Sequence, residues 1–165
     1  LMAKPMFYLA NCNEDLKGDA VGVLEEYAKS KGADVLKISS KIESEIAQLD
    51  AEEQEMFLAD LGLTEPGLNK VIREGYKLLD LETFFTAGEK EIRAWTFRRG
   101  STAQLAAGAI HTDFIKGFIR AEVIGFEDFT QCGGEAQAKE AGKWRLEGKA
   151  YIVQDGDIMH FRVNS

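Results

Sequence analysis

Apolar positions along the chain fall into short runs, and their spacing changes several times. The run "FYLA" at 7–10, closed by Asn11, predicts a buried strand over 6–10. Val21, Leu24 and Ala28 then recur at helical spacing, with Asp19 as the predicted cap and Gly32 as the stop. "DVLKI" at 34–38 predicts a second strand. Strand, helix, strand is a βαβ unit, which belongs to a parallel sheet covered by helices. Two strands do not complete such a sheet, so this unit reads as the end of a larger α/β domain.

Helical spacing continues through Ile42, Ile46 and Leu49. Asp50 and Glu53 fit a variant capping box that opens a helix carrying Met56, Phe57 and Leu61, and Gly62 ends it. A further helix restarts with Thr64 as cap and Pro66 in its first turn, its apolar face made by Leu68, Val71, Ile72, Leu78 and Leu79. From Phe84 the pattern changes. "TFFTAG" and "EIRAWTFRRG" are strand material rich in Thr and aromatics. Ser101 is expected to cap the short helix "TAQLAAGAI". "FIRAEVI" alternates, with Ile119, Ala121 and Val123 on one face and Arg120 and Glu122 on the other. "FEDFTQCGGEAQAKEAG" reads as helix in pieces, broken at Gly133 and Gly134. "KAYIVQDGDIMHFRV" predicts a hairpin turning at Asp155-Gly156. Strands mixed with one or two helices over about 80 residues predict a compact α+β module.

Charge sharpens this division. The net charge of −8 lies wholly in residues 1–83, which hold 9 Lys+Arg and 17 Asp+Glu; residues 84–165 hold 11 of each. Two units with a boundary near 80–84 follow. An acidic first half argues against wrapping nucleic acid over the whole surface, and DNA is not an expected partner. No apolar run approaches the roughly 20 residues of a membrane span, and no secretory pattern opens the chain. Cys12 and Cys132 lie far apart without CxxC spacing, which predicts free thiols and a cytoplasmic protein.

Candidate chemistry begins at Asn11. A strand ending in Asn-x-x-acid, here Asn11 to Glu14, can read a purine: the amide meets N7 and the acid meets a ring edge. Ligands bind at the carboxyl ends of strands in open α/β sheets. The bland alternative is an Asx-turn opening a loop. The second strand ends in Ser39, Ser40 and Lys41, beside the same sheet edge. No G-x-x-x-x-G-K-[ST] occurs, so the machinery of phosphoryl transfer is absent from these residues and no catalytic residue is assigned. His111 stands two residues from Asp113, but neither zinc-ligand spacing nor a G-x-S-x-G nucleophile accompanies it, and no metal site is expected. Loop hydrogen bonding is the plain reading of His111, and His160 reads as an ordinary strand residue. Arg93, Trp95, Arg98 and Arg99 interleave basic and aromatic residues, a pattern that can contact RNA phosphates and stack bases. Ordinary strand alternation, with aromatics inward and arginines solvated, is the alternative. Arg93, Trp95 and Phe97 share one face by parity, which puts Arg93 beside two large aromatics.

The stretches "KPMFYLAN" with Glu14 following, "EPGLNKVIREGYKLLDLETFFTAGEKEIRAWTF", "AAGAIHTDFIKGFIRAEVI" and "EAGKWRLEGKAYIVQDGDIMHFR" closely resemble the C-terminal part of the YchF family of Obg-like ATPases. The resemblance covers nearly the whole chain. It implies residues 1–83 as the end of a P-loop G domain and residues 84–165 as a TGS domain of ubiquitin-like β-grasp fold, an α+β module preceded by a partial α/β domain. In that family the base-reading motif is altered to Asn-x-x-Glu, which goes with ATP over GTP. Asn11, Cys12 and Glu14 match it, with Cys12 in place of the usual aliphatic residue, and Ser39 and Ser40 fall in the next loop. "SSK" is close to the Ser-Ala-Lys of GTPases, so the base preference stays open. The resemblance further implies a parent protein that uses ATP or GTP with Mg²⁺. This stretch would be inactive alone, bind no cofactor of its own, and meet a ribosome, RNA or a regulatory protein through its TGS domain. A free-standing β-grasp binding module is the competing reading.

Overall fold

The computed structural model describes residues 4–88 and 91–164. The chain divides into two compact units, Leu1–Leu79 and Asp80–Ser165.

In the first unit, β1 (Tyr8–Asn11) and β2 (Val35–Ile38) pair in parallel, with Asn11 level with Ile38. The crossover between them is α1 (Asp19–Ser30), which buries Ala28 completely. The helix starts one residue earlier than the capping pattern implies: Gly18 holds the cap position and Asp19 is already helical. Gly32 ends it at φ +66°, a conformation that glycine adopts without penalty. Three more helices follow: α2 (Ser40–Ile46), α3 (Ala51–Asp60) and α4 (Gly67–Leu78). Ile42, Ile46 and Leu58 form a small core, flanked by Phe57 and Leu63. Leu58, rather than Met56 or Leu61, is the buried residue of α3; Met56 is 69% exposed.

The capping box of α3 forms as expected: Asp50 Oδ1 accepts from Glu53 N–H at 3.0 Å, and Glu53 Oε2 accepts from Asp50 N–H at 3.2 Å. The cap of α4 differs from expectation. Thr64 plays no part, and Pro66 sits at the cap position without a side-chain bond. Glu43, reaching over from α2, accepts from the N–H groups of Gly67 (2.7 Å) and Leu68 (3.0 Å). The carboxylate satisfies two of the orphan donors and complements the helix dipole. The approach needs Gly67, because a Cβ there would lie 2.7 Å from Glu43 Oε1 and 2.9 Å from Ile38 Cγ2. The apolar stripe of α4 is largely uncovered, with Leu68, Ile72 and Leu79 more than half exposed.

The second unit is a five-stranded sheet. Its strands are β3 (Leu81–Ala87), β4 (Ile92–Arg98), β5 (Phe118–Gly125), β6 (Arg145–Glu147) and β7 (Asp157–Val163), in spatial order β4-β3-β7-β5-β6. The central pair β3–β7 is parallel and the other pairs are antiparallel. Numbered within the unit, the order is 2-1-5-3-4, the β-grasp arrangement. Residues 101–117 cover one face with α5 (Ala103–Ala106), a 3₁₀ turn (Ala107–Ala109) and α6 (Thr112–Gly117). Phe84, Phe97, Phe118, Val123, Val153 and Met159 pack beneath them with three fully buried alanines of that segment's small-residue face. Alanines let these short elements approach the sheet closely. The other face carries α7 (Phe126–Cys132) and α8 (Glu135–Glu140) over Ile124, Ile158 and Phe85. Gly133 and Gly134, at φ +81° and +134°, make the break between these two helices.

Three local expectations change. Thr102, not Ser101, caps α5, accepting from Leu105 N–H at 3.4 Å. Ile119 is 55% exposed rather than facing inward with Ala121 and Val123, because the ladder is irregular between Phe118 and Arg120 and Phe118 takes the core position. The Asp155-Gly156 turn exists but closes no hairpin. β7 pairs with β3 and β5, whereas residues 151–153 pair with the 101–103 segment: Ala103 N–H donates to Tyr151 O and Val153 N–H to Ser101 O. The turn is pinned to β3 instead, with Asp155 Oδ1 accepting from Thr83 N–H and Gly156 N–H donating to Thr83 O, both at 2.8 Å.

Candidate functional site

The two parallel strands of the first unit end side by side, and their C-terminal ends build a cleft of about 490 Å³. One wall is residues 11–15 and the other is Ser39, Ser40 and Lys41. Its size is in the range of small-ligand sites. Asn11, the last residue of β1, locks the two walls together: its Oδ1 accepts from Ser40 N–H at 3.0 Å. Among the described residues its Nδ2 has no partner, so the amide keeps two donors for a ligand. Cys12 continues the strand pairing, donating its N–H to Ile38 O at 2.7 Å. Its carbonyl is not used in that bond, and its thiol is turned back toward Ala10 O at 3.5 Å.

Ser39 is 2% exposed, yet its hydroxyl has no hydrogen-bond partner among the described residues. A buried hydroxyl without a partner is costly, and here it belongs to a residue that lines the cleft. Glu14 and Lys41 face each other from opposite walls and form a hydrogen-bonded ion pair. The hydrogen bond to Glu14, then the Glu14 charge and that of Glu45, hold the Lys41 ammonium above its ordinary pKa. Asn11, Cys12, Glu14, Ser39 and Ser40 thus meet around one cleft. Lys41 joins them through a contact that spacing along the chain does not show.

Arg93, Trp95, Arg98 and Arg99 do not share one surface. Arg93 lies over the Trp95 ring, 4.5 Å from its centroid, and 3.9 Å from Glu91. Trp95 donates Nε1–H to Thr86 Oγ1 at 2.9 Å and packs against the core. The parity that sets Arg93 beside aromatics is therefore met by a cation–π contact. Arg98 is exposed on the opposite side of β4, and Arg99, past the strand end, pairs with Glu82 at 3.2 Å and Asp80 at 3.5 Å.

His111 caps α6, its Nδ1 accepting from Asp113 N–H at 3.2 Å. His160 stacks edge-on with Trp144 at 5.2 Å. Both cysteines are free thiols. No group of three or more metal-ligating side chains occurs among the described residues, and no helix among them is long and apolar enough to cross a membrane. A second, larger cleft of about 770 Å³ lies in the β-grasp unit, between Phe85, Phe126, Arg145 and the Asp155–Asp157 turn. On its wall the buried Asp157 carboxylate accepts from Tyr151 OH (2.8 Å) and Gln154 N–H (2.9 Å). Burial, followed by the Asp157 hydrogen bond and charge, pushes the Tyr151 phenol up to about 12. No motif in the sequence marks this network, which depends on β7 leaving its expected hairpin partner.

The chain is similar to known proteins over nearly its whole length. The chain is 61% identical over 166 residues to the "Ribosome-binding ATPase YchF" of Pasteurella multocida, and 53% identical over 169 residues to the protein of that name in Bacillus subtilis. Each match takes in 99% of this chain and 46% of the relative, so the chain spans about half the length of the curated relatives it matches. Among solved structures, the Schizosaccharomyces pombe YchF GTPase superposes at a TM-score of 0.83 with 33% identity, over 97% of this chain and 44% of that one. A GTP-binding protein from Pyrococcus horikoshii OT3 shares the fold at a TM-score of 0.64 and 24% identity, over 98% of this chain and 46% of that one. Residues 81–164 match the family model YchF-GTPase_C, described as a protein of unknown function (DUF933). With that match spanning just over half its length, the chain belongs to the YchF-GTPase_C family.

Proposed function

We propose that this chain is the C-terminal part of a nucleotide hydrolase that uses ATP in preference to GTP. Residues 1–83 are the end of its P-loop G domain and residues 84–165 its TGS domain. The observation that carries the reading is the cleft at the paired ends of β1 and β2. There Asn11 offers its free amide donors, Cys12 its carbonyl, and Ser39 an unpartnered hydroxyl, around a space of about 490 Å³. A purine presents complementary groups: N7 accepts, and the exocyclic amino group of adenine donates. The relatives' names, which pair ATPase with ribosome binding, support the same reading.

These residues bind and orient a base. Phosphate binding and the Mg²⁺ that neutralises it require residues outside this sequence, since no phosphate-loop pattern lies within it. The full open reading frame carrying this chain is expected to bind ATP, and Asn11→Ala to weaken that binding about tenfold, the neutral donor contact to the base and the Oδ1 tie to Ser40 N–H being lost together. Calorimetric titration with ATP measures it; unchanged affinity in the variant would remove Asn11 from the site. The present chain alone is expected to hydrolyse no ATP.

A second activity rests on the β-grasp unit. Arg98 is exposed without a partner among the described residues, and the relatives are named as ribosome-binding. Association of this unit with ribosomes through RNA phosphates should weaken steeply with salt, and Arg98→Glu should reduce it. Co-sedimentation across a salt series tests this, and binding that persists at high salt assigns the contact to protein instead.

A further inference from the structure

The base-reading cleft holds one contact whose purpose the fold does not explain. Glu14 and Lys41 bridge the mouth of the cleft although both side chains are more than half exposed. Exposed ion pairs contribute little to folding, because water and salt screen them and two long side chains lose freedom. The pair instead changes what the cleft presents to a base. An ionised carboxylate only accepts hydrogen bonds, and it matches the N1–H and amino donors of guanine. An ammonium only donates, with three N–H groups, of which the bond to Glu14 uses one.

Resting on the base-reading assignment proposed above, we infer that Lys41 is a positioning residue for base selectivity: by occupying Glu14 it removes the acceptor that guanine needs and sets a donor where adenine carries its N1 acceptor. Guanine N1–H then faces a donor, and two donors cannot pair. Selectivity here comes from the repulsive element as much as from the attractive one. The partner of Lys41 lies 27 positions back in the chain, brought opposite by the parallel register that sets Asn11 level with Ile38. The raised affinity of Lys41 for its proton, caused first by Glu14, keeps the ammonium charged throughout the neutral range.

The test uses the full open reading frame that carries this chain, titrated calorimetrically with ATP and, separately, with GTP. Lys41→Met frees the Glu14 carboxylate, and the ratio of GTP to ATP affinity is expected to rise about tenfold, since guanine acquires a charge-assisted hydrogen bond and adenine forfeits one. Lys41→Arg keeps a donor on Glu14 and should preserve the native ratio, whereas a merely structural role for the exposed side chain would leave the ratio unmoved in Lys41→Met as well. In a Glu14→Gln background the gain for guanine is gone and only the lost donor to adenine remains, so Lys41→Met should move the ratio less than it does in the native protein. An unchanged ratio in Lys41→Met, or an undiminished effect of that substitution in the Glu14→Gln background, overturns the inference. If the native protein binds neither nucleotide, the base-reading assignment itself fails, a result distinct from the other two.

Discussion

Two side chains at the residue scale show how far individual contacts reach. Phe84 is fully buried and touches the rings of Phe97 and Phe161, with centroids 5.8 and 5.5 Å away. Phe84→Ala removes the largest fully buried side chain of the main core and leaves a cavity beneath the Ala-rich elements. A loss of about 3–5 kcal/mol is expected, read as a shift in the urea midpoint at constant slope. Glu43 is smaller in effect but more specific. Its carboxylate takes the place of a local cap on α4, so Glu43→Ala leaves the Gly67 and Leu68 amides without that acceptor. The expected cost is about 1–2 kcal/mol, and Glu43→Gln, which keeps one acceptor but drops the charge, should recover part of it. Amide exchange at Gly67 and Leu68 checks this: equal protection in all three proteins would mean the cap contributes nothing.

Elements differ in how legibly the sequence encodes them. The βαβ unit, the capping box of α3 and the paired glycines between α7 and α8 are local signals, and each formed where expected. Asn11 and Glu14 could be placed at one strand end for the same reason, lying within four consecutive positions, and both line the cleft there. What escaped prediction depends on distant partners. The Asp155-Gly156 turn has the residues of a hairpin, but β7 is better satisfied at the centre of the sheet between β3 and β5. Tyr151 consequently ends beside Asp157 rather than in a ladder, and this junction carries a pH dependence. The folded-state pKa of Tyr151 is raised to about 12 against an ordinary value of 10.0, so the protonated phenol is what the fold stabilises. Its contribution is complete below pH 10 and is lost as pH rises from there through about 12. Tyr151→Phe removes the donor to a buried carboxylate and should destabilise the unit by about 1–3 kcal/mol at neutral pH. It should also flatten the alkaline fall in stability. Thermal melts of both proteins from about pH 8 to about pH 12 measure this, and parallel curves would mean that another group titrates.

The two units of the whole molecule meet the demands of folding unequally. The β-grasp unit, residues 80–165, owns a five-stranded sheet packed on both faces, with a core of its own. Domains of about this size fold without help when most of their apolar surface is covered. The first unit has a two-stranded sheet, a core of Ile42, Ile46 and Leu58, and a half-exposed stripe of Leu68, Ile72 and Leu79. A two-stranded sheet is marginal by itself in water, and the helices around it bury few large side chains. The chain is therefore expected to unfold in two steps, residues 1–79 at lower denaturant concentration and residues 80–165 at higher. Residues 80–165 produced alone should retain the second transition at an unchanged midpoint. Native-state hydrogen exchange resolves the steps residue by residue: amides of β1 and β2 should open well before those of β5 and β7. One cooperative transition across all amides would show instead that the first unit draws its stability from the second, and the midpoint of residues 80–165 alone would then fall as well.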